Sequence, residues 1–139
     1  MSSFKKICAY IMLVAAIGGC SESPTVQPSN DAAIGRYVLK IISGKTLPYT
    51  RSPGVVITDG TIFLSGDGTY TSAVHQVVTE NGNPVIQTIG LPEGAWSRLD
   101  NSAIRLIPVK GDELSVDAQL LIPSLNFKYT DADWGYVKQ

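Results

Sequence analysis

Alternation of apolar and polar residues is the dominant pattern of this chain. Leu114, Val116, Ala118 and Leu120 alternate with Ser115, Asp117 and Gln119. Period two turns one face of a segment towards a dry interior and the other towards water, which marks a half-buried strand. Leu125 to Tyr129 repeats the pattern, and Tyr37 to Ile41 follows it less strictly. Runs rich in valine, isoleucine, threonine and aromatics add further strands over Val55–Thr58, Thr61–Ser65, Tyr70–Thr79, Val85–Leu91, Ala95–Leu99, Ala103–Ile107 and Trp134–Val137.

Turn-forming residues fall between these runs. Asp59-Gly60, Gly66-Asp67-Gly68, Asn81-Gly82-Asn83, Asp100-Asn101, Lys110-Gly111-Asp112 and Asp131-Ala132-Asp133 tolerate positive φ or cap a turn. Pro48 and Pro53 exclude a central strand across Thr46–Gly54, which reads as a loop over the barrel mouth. Short strands joined in sequence by tight turns predict an all-β fold. We expect a single antiparallel meander barrel of about eight to ten strands, since closure removes exposed edges. A sandwich is the structural alternative.

The first residues follow a different pattern. Lys5 and Lys6 precede an apolar run from Ile7 to Ala16, and Gly18-Gly19-Cys20 follows. A basic start, a short apolar stretch and small residues form a secretory signal. A membrane span would need about 20 apolar residues. The cysteine after the glycine pair makes the segment resemble the lipobox of bacterial lipoproteins. That resemblance implies cleavage before Cys20 and diacylglycerol on its sulfur. Ser21 resembles the residue of lipoproteins sent to the outer membrane in Gram-negative cells. Residues 1–19 are thus expected to be a signal peptide, 20–33 a lipidated tether holding Pro24 and Pro28, and 34–139 the barrel.

Composition narrows the function. Cys8 leaves with the signal and Cys20 is the lipid site, so the remaining domain has no thiol for a disulfide or a metal. Of eleven basic residues, Lys5 and Lys6 are lost, and the twelve acidic ones then dominate. Such a balance excludes nucleic-acid binding by clustered lysine and arginine, and it leaves the acyl chains to hold the membrane.

Three segments share the form Gly-x-aromatic: Gly35-Arg36-Tyr37, Gly68-Thr69-Tyr70 and Gly94-Ala95-Trp96. Each opens a strand, and its ring is placed to cover a glycine on a neighbouring strand. With Gly44-Lys45-Thr46-Leu47-Pro48, Gly60-Thr61-Ile62-Phe63-Leu64 and Ile104-Arg105-Leu106, these segments resemble uncharacterised bacterial lipoproteins that carry a lipocalin-like barrel. The resemblance covers about residues 34–139 and implies a lipocalin-like barrel on a lipid anchor.

Catalytic chemistry finds little purchase. His75 is the lone histidine, and its strand parity opposite to Tyr70 turns it outward. A zinc site needs three or four ligands. No Gly-x-Ser-x-Gly elbow is present, the acids fall mainly in turns, and Asp131-x-Asp133-x-Gly135 lacks the rest of a calcium loop. We therefore expect no enzyme, no cofactor and no metal. Parity points Tyr37, Leu39, Ile41, Ile62, Leu64, Tyr70, Trp96, Ile104, Leu106, Val116, Ala118, Leu120, Phe127 and Tyr129 inward. Of these, Tyr37, Leu39, Tyr70, Trp96, Leu106 and Phe127 are the candidate lining of an apolar interior. Two expectations follow. In one, an envelope lipoprotein binds a small apolar ligand or a protein partner. In the other, a filled barrel serves structure or assembly with no small ligand.

Overall fold

The computed structural model describes residues 30–109 and 115–139. Cys20, the signal, most of the tether, Leu114 and the Lys110-Gly111-Asp112 turn lie outside the described residues. The strands are β1 (Gly35–Ile42), β2 (Lys45–Thr46), β3 (Tyr49–Ser52), β4 (Val55–Leu64), β5 (Thr69–Glu80), β6 (Asn83–Ile89), β7 (Gly94–Asp100), β8 (Ala103–Pro108), β9 (Val116–Leu121), β10 (Ser124–Tyr129) and β11 (Ala132–Lys138). Eight of them form a closed antiparallel meander in the order β1-β4-β5-β7-β8-β9-β10-β11, with β11 returning to β1. This is the expected all-β, lipocalin-like barrel.

The remaining strands lengthen one end. β5 has twelve residues, twice the six of β8, β9 or β10. It touches β7 only through Thr69–Ala95 and Tyr70–Gly94, and its far half pairs with β6 from Val74 to Glu80. The first part of β4 likewise leaves β1 and pairs with β3. β3, β4, β5 and β6 therefore project beyond the barrel as a four-stranded wing. The chain enters at the opposite end, the base, where Gly35 lies beside Leu64.

Period two placed most of the core correctly. Tyr37, Leu39, Ile62, Leu64, Tyr70, Trp96, Ile104, Leu106, Ala118, Leu120 and Phe127 are buried, and Val116 and Tyr129 pack half-buried against them. Ile41 is the exception at 43 % exposed. A bulge between Leu39 and Ile41 inserts one residue against β11. It reverses the parity beyond it, so Ile42 is buried in place of Ile41.

Two turn assignments also change. Asp59-Gly60 lies inside β4 at a second bulge, opposite His75 and Val74, so the two expected strands are one. A Cβ at Gly60 would sit 3.1 Å from the Leu39 side chain, which explains the glycine without a turn. Thr46–Gly54 is not a bare loop: β2 pairs with β1, and β3 forms a hairpin with β4. Pro48 and Pro53 flank β3 instead of interrupting it.

Candidate functional site

Each Gly-x-aromatic segment sends its ring inward. Tyr70 stands directly opposite Gly94 on the neighbouring strand, the placement expected of a ring beside a glycine. Gly35 and Gly68 have φ of 144° and 84°, a region open to glycine and strained for other residues. Gly94 lies so close to β8 that a Cβ there would be driven into the Ile107 carbonyl. At the base Tyr37 Oη donates to Ala33 O at 2.7 Å, and Trp96 Nε1 donates to Ser65 O at 2.8 Å. Burial pushes the Tyr37 phenol up to about 12.

Residues 30–34, in and beside the stretch read as tether, pack against this end. Ala33 is fully buried. Arg98 Nη2 and Nε donate to Asp31 at 2.7 and 2.9 Å, and Asp31 also accepts from the Ala33 N–H at 2.8 Å. The Asp31 carboxylate, paired with Arg98, raises the already high guanidinium pKa further. Lys138 Nζ donates to Ala32 O at 2.6 Å, so the first described residues are fastened from both sides.

The candidate lining residues Tyr37, Leu39, Tyr70, Trp96, Leu106 and Phe127 are thus brought together, as members of one packed core. Leu125, Trp134, Tyr136, Ile57, Val74 and Leu91 join them. Phe127 stacks on Tyr136 with ring centres 5.6 Å apart, and Trp134 Nε1 donates to Tyr129 O at 3.0 Å. Leu125 and Tyr136 could have been found by parity, since Leu125 shares the face of Phe127. Two acceptors on the inward face of β5 remain without a partner, Ser72 Oγ and Gln76 Oε1. Gln76 is only 7 % exposed, and its Nε2 donates to Gln87 Oε1 at 2.9 Å.

The barrel wall faces water. Arg36, Lys40, Arg105, Asp117 and Lys128 stand exposed on its outer side. A lipid-facing band would lose about 2–4 kcal/mol for each central arginine or lysine. A groove of about 410 Å³ crosses this wall at Gly135, beside Ile41 and Asn126. Its cause is local: Ile41, Gly135 and Asn126 are cross-strand neighbours, and the middle one has no side chain.

His75 faces outward, as its parity predicts. Its Nδ1 lies 2.6 Å from Asp59 Oδ1, and Thr58 Oγ1 donates to Asp59 Oδ2 at 3.0 Å. The hydrogen bond with His75 holds the Asp59 carboxyl below its ordinary value. Thr88 stands opposite His75 on β6, but no hydrogen bond joins the two side chains. The dyad is exposed, and among the described residues the His75 ring is hydrogen-bonded to Asp59 and to no hydroxyl. Among the described residues no group of three or more histidine, cysteine, aspartate or glutamate side chains could hold a metal.

The wing is unlike the barrel on both faces. Val56, Val77 and Ile86 are cross-strand neighbours on one side, and Val55, Val78 and Val85 on the other. Val55, Val56, Val77 and Val78 are half-buried, whereas on β6 Val85 is 38 % and Ile86 74 % exposed. The exposed apolar surface of the wing thus lies on β6, with Val85 on one face and Ile86 on the other. Sequence reasoning found β6 as a strand but not its place in a wing, because nothing local tells which strand it pairs with. The chain matches no family model, no curated protein and no solved structure.

Proposed function

We propose that this protein is a lipid-anchored envelope lipoprotein without catalytic activity, whose filled barrel carries a wing that docks protein. The observation that carries the reading is the apolar edge of the wing, where Val85 and Ile86 stand exposed on opposite faces of β6. Large side chains in the barrel support it, since Tyr37, Tyr70, Tyr136, Trp96 and Leu106 occupy the space a lipocalin-like ligand would need. The anchor would be Cys20, in the outer membrane if the host is Gram-negative. The tether enters at the base, which leaves the opposite end free for a partner.

The experiment is photocross-linking in the native host, with the cross-linker at Ile86 or, as a control, at Lys128. The reading expects one abundant protein adduct from Ile86 and none from Lys128. Equal labelling from both sites refutes it. Cys20→Ser tests the anchor separately: the protein should leave the detergent phase, and unchanged partitioning refutes lipidation.

A second reading has its own support. Gln76 Oε1 and Ser72 Oγ are unpartnered acceptors facing inward, and an unmet buried acceptor costs about 1–3 kcal/mol. A small apolar ligand ending in an N–H or O–H donor would satisfy one of them. Native mass spectrometry should then show a bound mass that Gln76→Leu abolishes.

A further inference from the structure

The free edge of β6 has backbone groups arranged to pair with one more strand. Thr79 donates its N–H to Gly54 O at 2.7 Å, on the β4 side of β5. Backbone groups alternate sides along a strand, so Val78 and Glu80 face β6 while Val77 and Thr79 face away. On β6, Asn83, Val85, Gln87 and Ile89 direct their groups to β5, opposite Glu80, Val78, Gln76 and Val74. Pro84, Ile86 and Thr88 turn theirs outward. Pro84 fits this arrangement, since its missing N–H falls on the open side.

Among the described residues β6 pairs with β5 alone. The other open edges are guarded: β2 carries Lys45, and β3 carries Arg51 between Pro48 and Pro53. Charge and proline at an edge discourage pairing; on β6 Pro84 closes only the first outward position and leaves Ile86 and Thr88 open. β6 reads Asn-Pro-Val-Ile-Gln-Thr-Ile and has no charge at all.

We propose that this edge pairs antiparallel with the same edge of a second copy, about a two-fold axis at Gln87, joining the two wings into one sheet. Ile86 and Thr88 of one copy exchange backbone hydrogen bonds with Thr88 and Ile86 of the other. This register uses both outward donors and leaves Pro84, which has none, opposite Gly90. Moving the axis to Ile86 would set Thr88 against Pro84 and leave the Thr88 carbonyl unmet. A two-fold brings each strand against its own copy, so a charged edge would repel itself, whereas this neutral one does not. Val85 meets Ile89 on one face, and Ile86 meets Thr88 on the other. The inference rests on reading the wing as a contact surface and is independent of the lipid anchor.

The test uses the full chain carrying Cys8→Ser and Cys20→Ser, so that only introduced thiols react. Opposed residues in a non-hydrogen-bonded antiparallel pair have Cα atoms about 4.5 Å apart, within disulfide reach. Gln87→Cys should give a disulfide-linked dimer on mild oxidation, at tenfold or more the yield of Val85→Cys. Two Val85 positions would stand four residues apart along the ladder, about 13 Å. The double variant Ile86→Cys with Thr88→Cys, both exposed positions, should link equally well and covers any folding defect at Gln87. Adding Thr88→Pro to Gln87→Cys deletes an outward donor without touching β5 and should cut the yield at least tenfold. Equal yields from Gln87→Cys and Val85→Cys, or no dimer from either Gln87→Cys or the double variant, overturn the proposal. If the photocross-linker at Ile86 still captures another protein, the wider reading stands and only the second copy is excluded.

Discussion

At the base of the barrel, Tyr37, Trp96 and Arg98 direct their polar groups onto carbonyls or a carboxylate, whereas in the wing Val85 and Ile86 leave carbon in water. The same chain, with the same alternation, thus builds one end that is satisfied within itself and one that is not. Alternation sorts side chains onto two faces and says nothing about whether a second layer covers either face. In the barrel the sheet curls round to cover its own inner face. In the wing β4 and β5 run past the point of closure, and the cover ends beyond the Ile57 and Gln76 row, which is still buried.

Substitutions at the base should therefore cost stability, and those in the wing should not. The largest effect is expected at Gly94→Ala. A Cβ there meets the Ile107 backbone, which no rotamer change can relieve. The loss should exceed about 4 kcal/mol in urea unfolding, among the largest seen for single substitutions. A loss below about 1 kcal/mol would show that β7 and β8 can part freely, and the base would then not be rigid.

Asp31→Ala comes next. It leaves the Arg98 guanidinium partly buried without its carboxylate and frees the Ala33 N–H. Hydrogen bonds to charged groups contribute about 1.5–3 kcal/mol, and the loss should fall within that range. Hydrogen exchange should also quicken at Ala33 and Ile34. An unchanged exchange rate would mean that residues 30–34 do not hold the base shut.

These two sites show what was legible in advance and what was not. Gly94 stood out in the sequence through its Gly-x-aromatic form, and Tyr70 does lie opposite it, but the close approach of β8 had no local signal. Asp31 and Arg98 are 67 residues apart, and no periodicity couples such a pair. The barrel itself was legible because its strands meet in chain order, so local turns specify the pairing. Ile41 failed because a bulge adds one residue, and a single added residue reverses a period of two. The wing was not legible because its existence depends on strand lengths after closure. Those lengths follow from bulges and long-range register rather than from any local run.

Alkaline pH sharpens the contrast at one residue of the base. The Tyr37 phenol is raised to about 12 by burial, against about 10 in an unfolded chain. The folded state thus keeps a proton that the unfolded state releases. The stability linked to this proton is intact below pH 10 and is lost as pH rises to about 12. Burial also raises the Tyr136 phenol, so Tyr37→Phe should flatten the fall only in part. An alkaline limb of unaltered slope in Tyr37→Phe would show that this phenol is not held inside.

The smallest effect is expected at Ile86→Ser, and its smallness is the point. Ile86 is as apolar as Ile62 or Ile104, yet it is 74 % exposed where they are fully buried. Removing an isoleucine from a core costs several kcal/mol, but here there is little burial to lose. In dilute protein the urea midpoint should move by less than the equivalent of about 0.5 kcal/mol, the range of ordinary surface changes. The same substitution should weaken photocross-linking from the neighbouring Thr88, because the apolar row Val56-Val77-Ile86 is what a partner would cover. A loss of stability comparable to a core site would place Ile86 under a layer of this chain. The wing would then be a second core, and the difference between the two ends of the molecule would vanish.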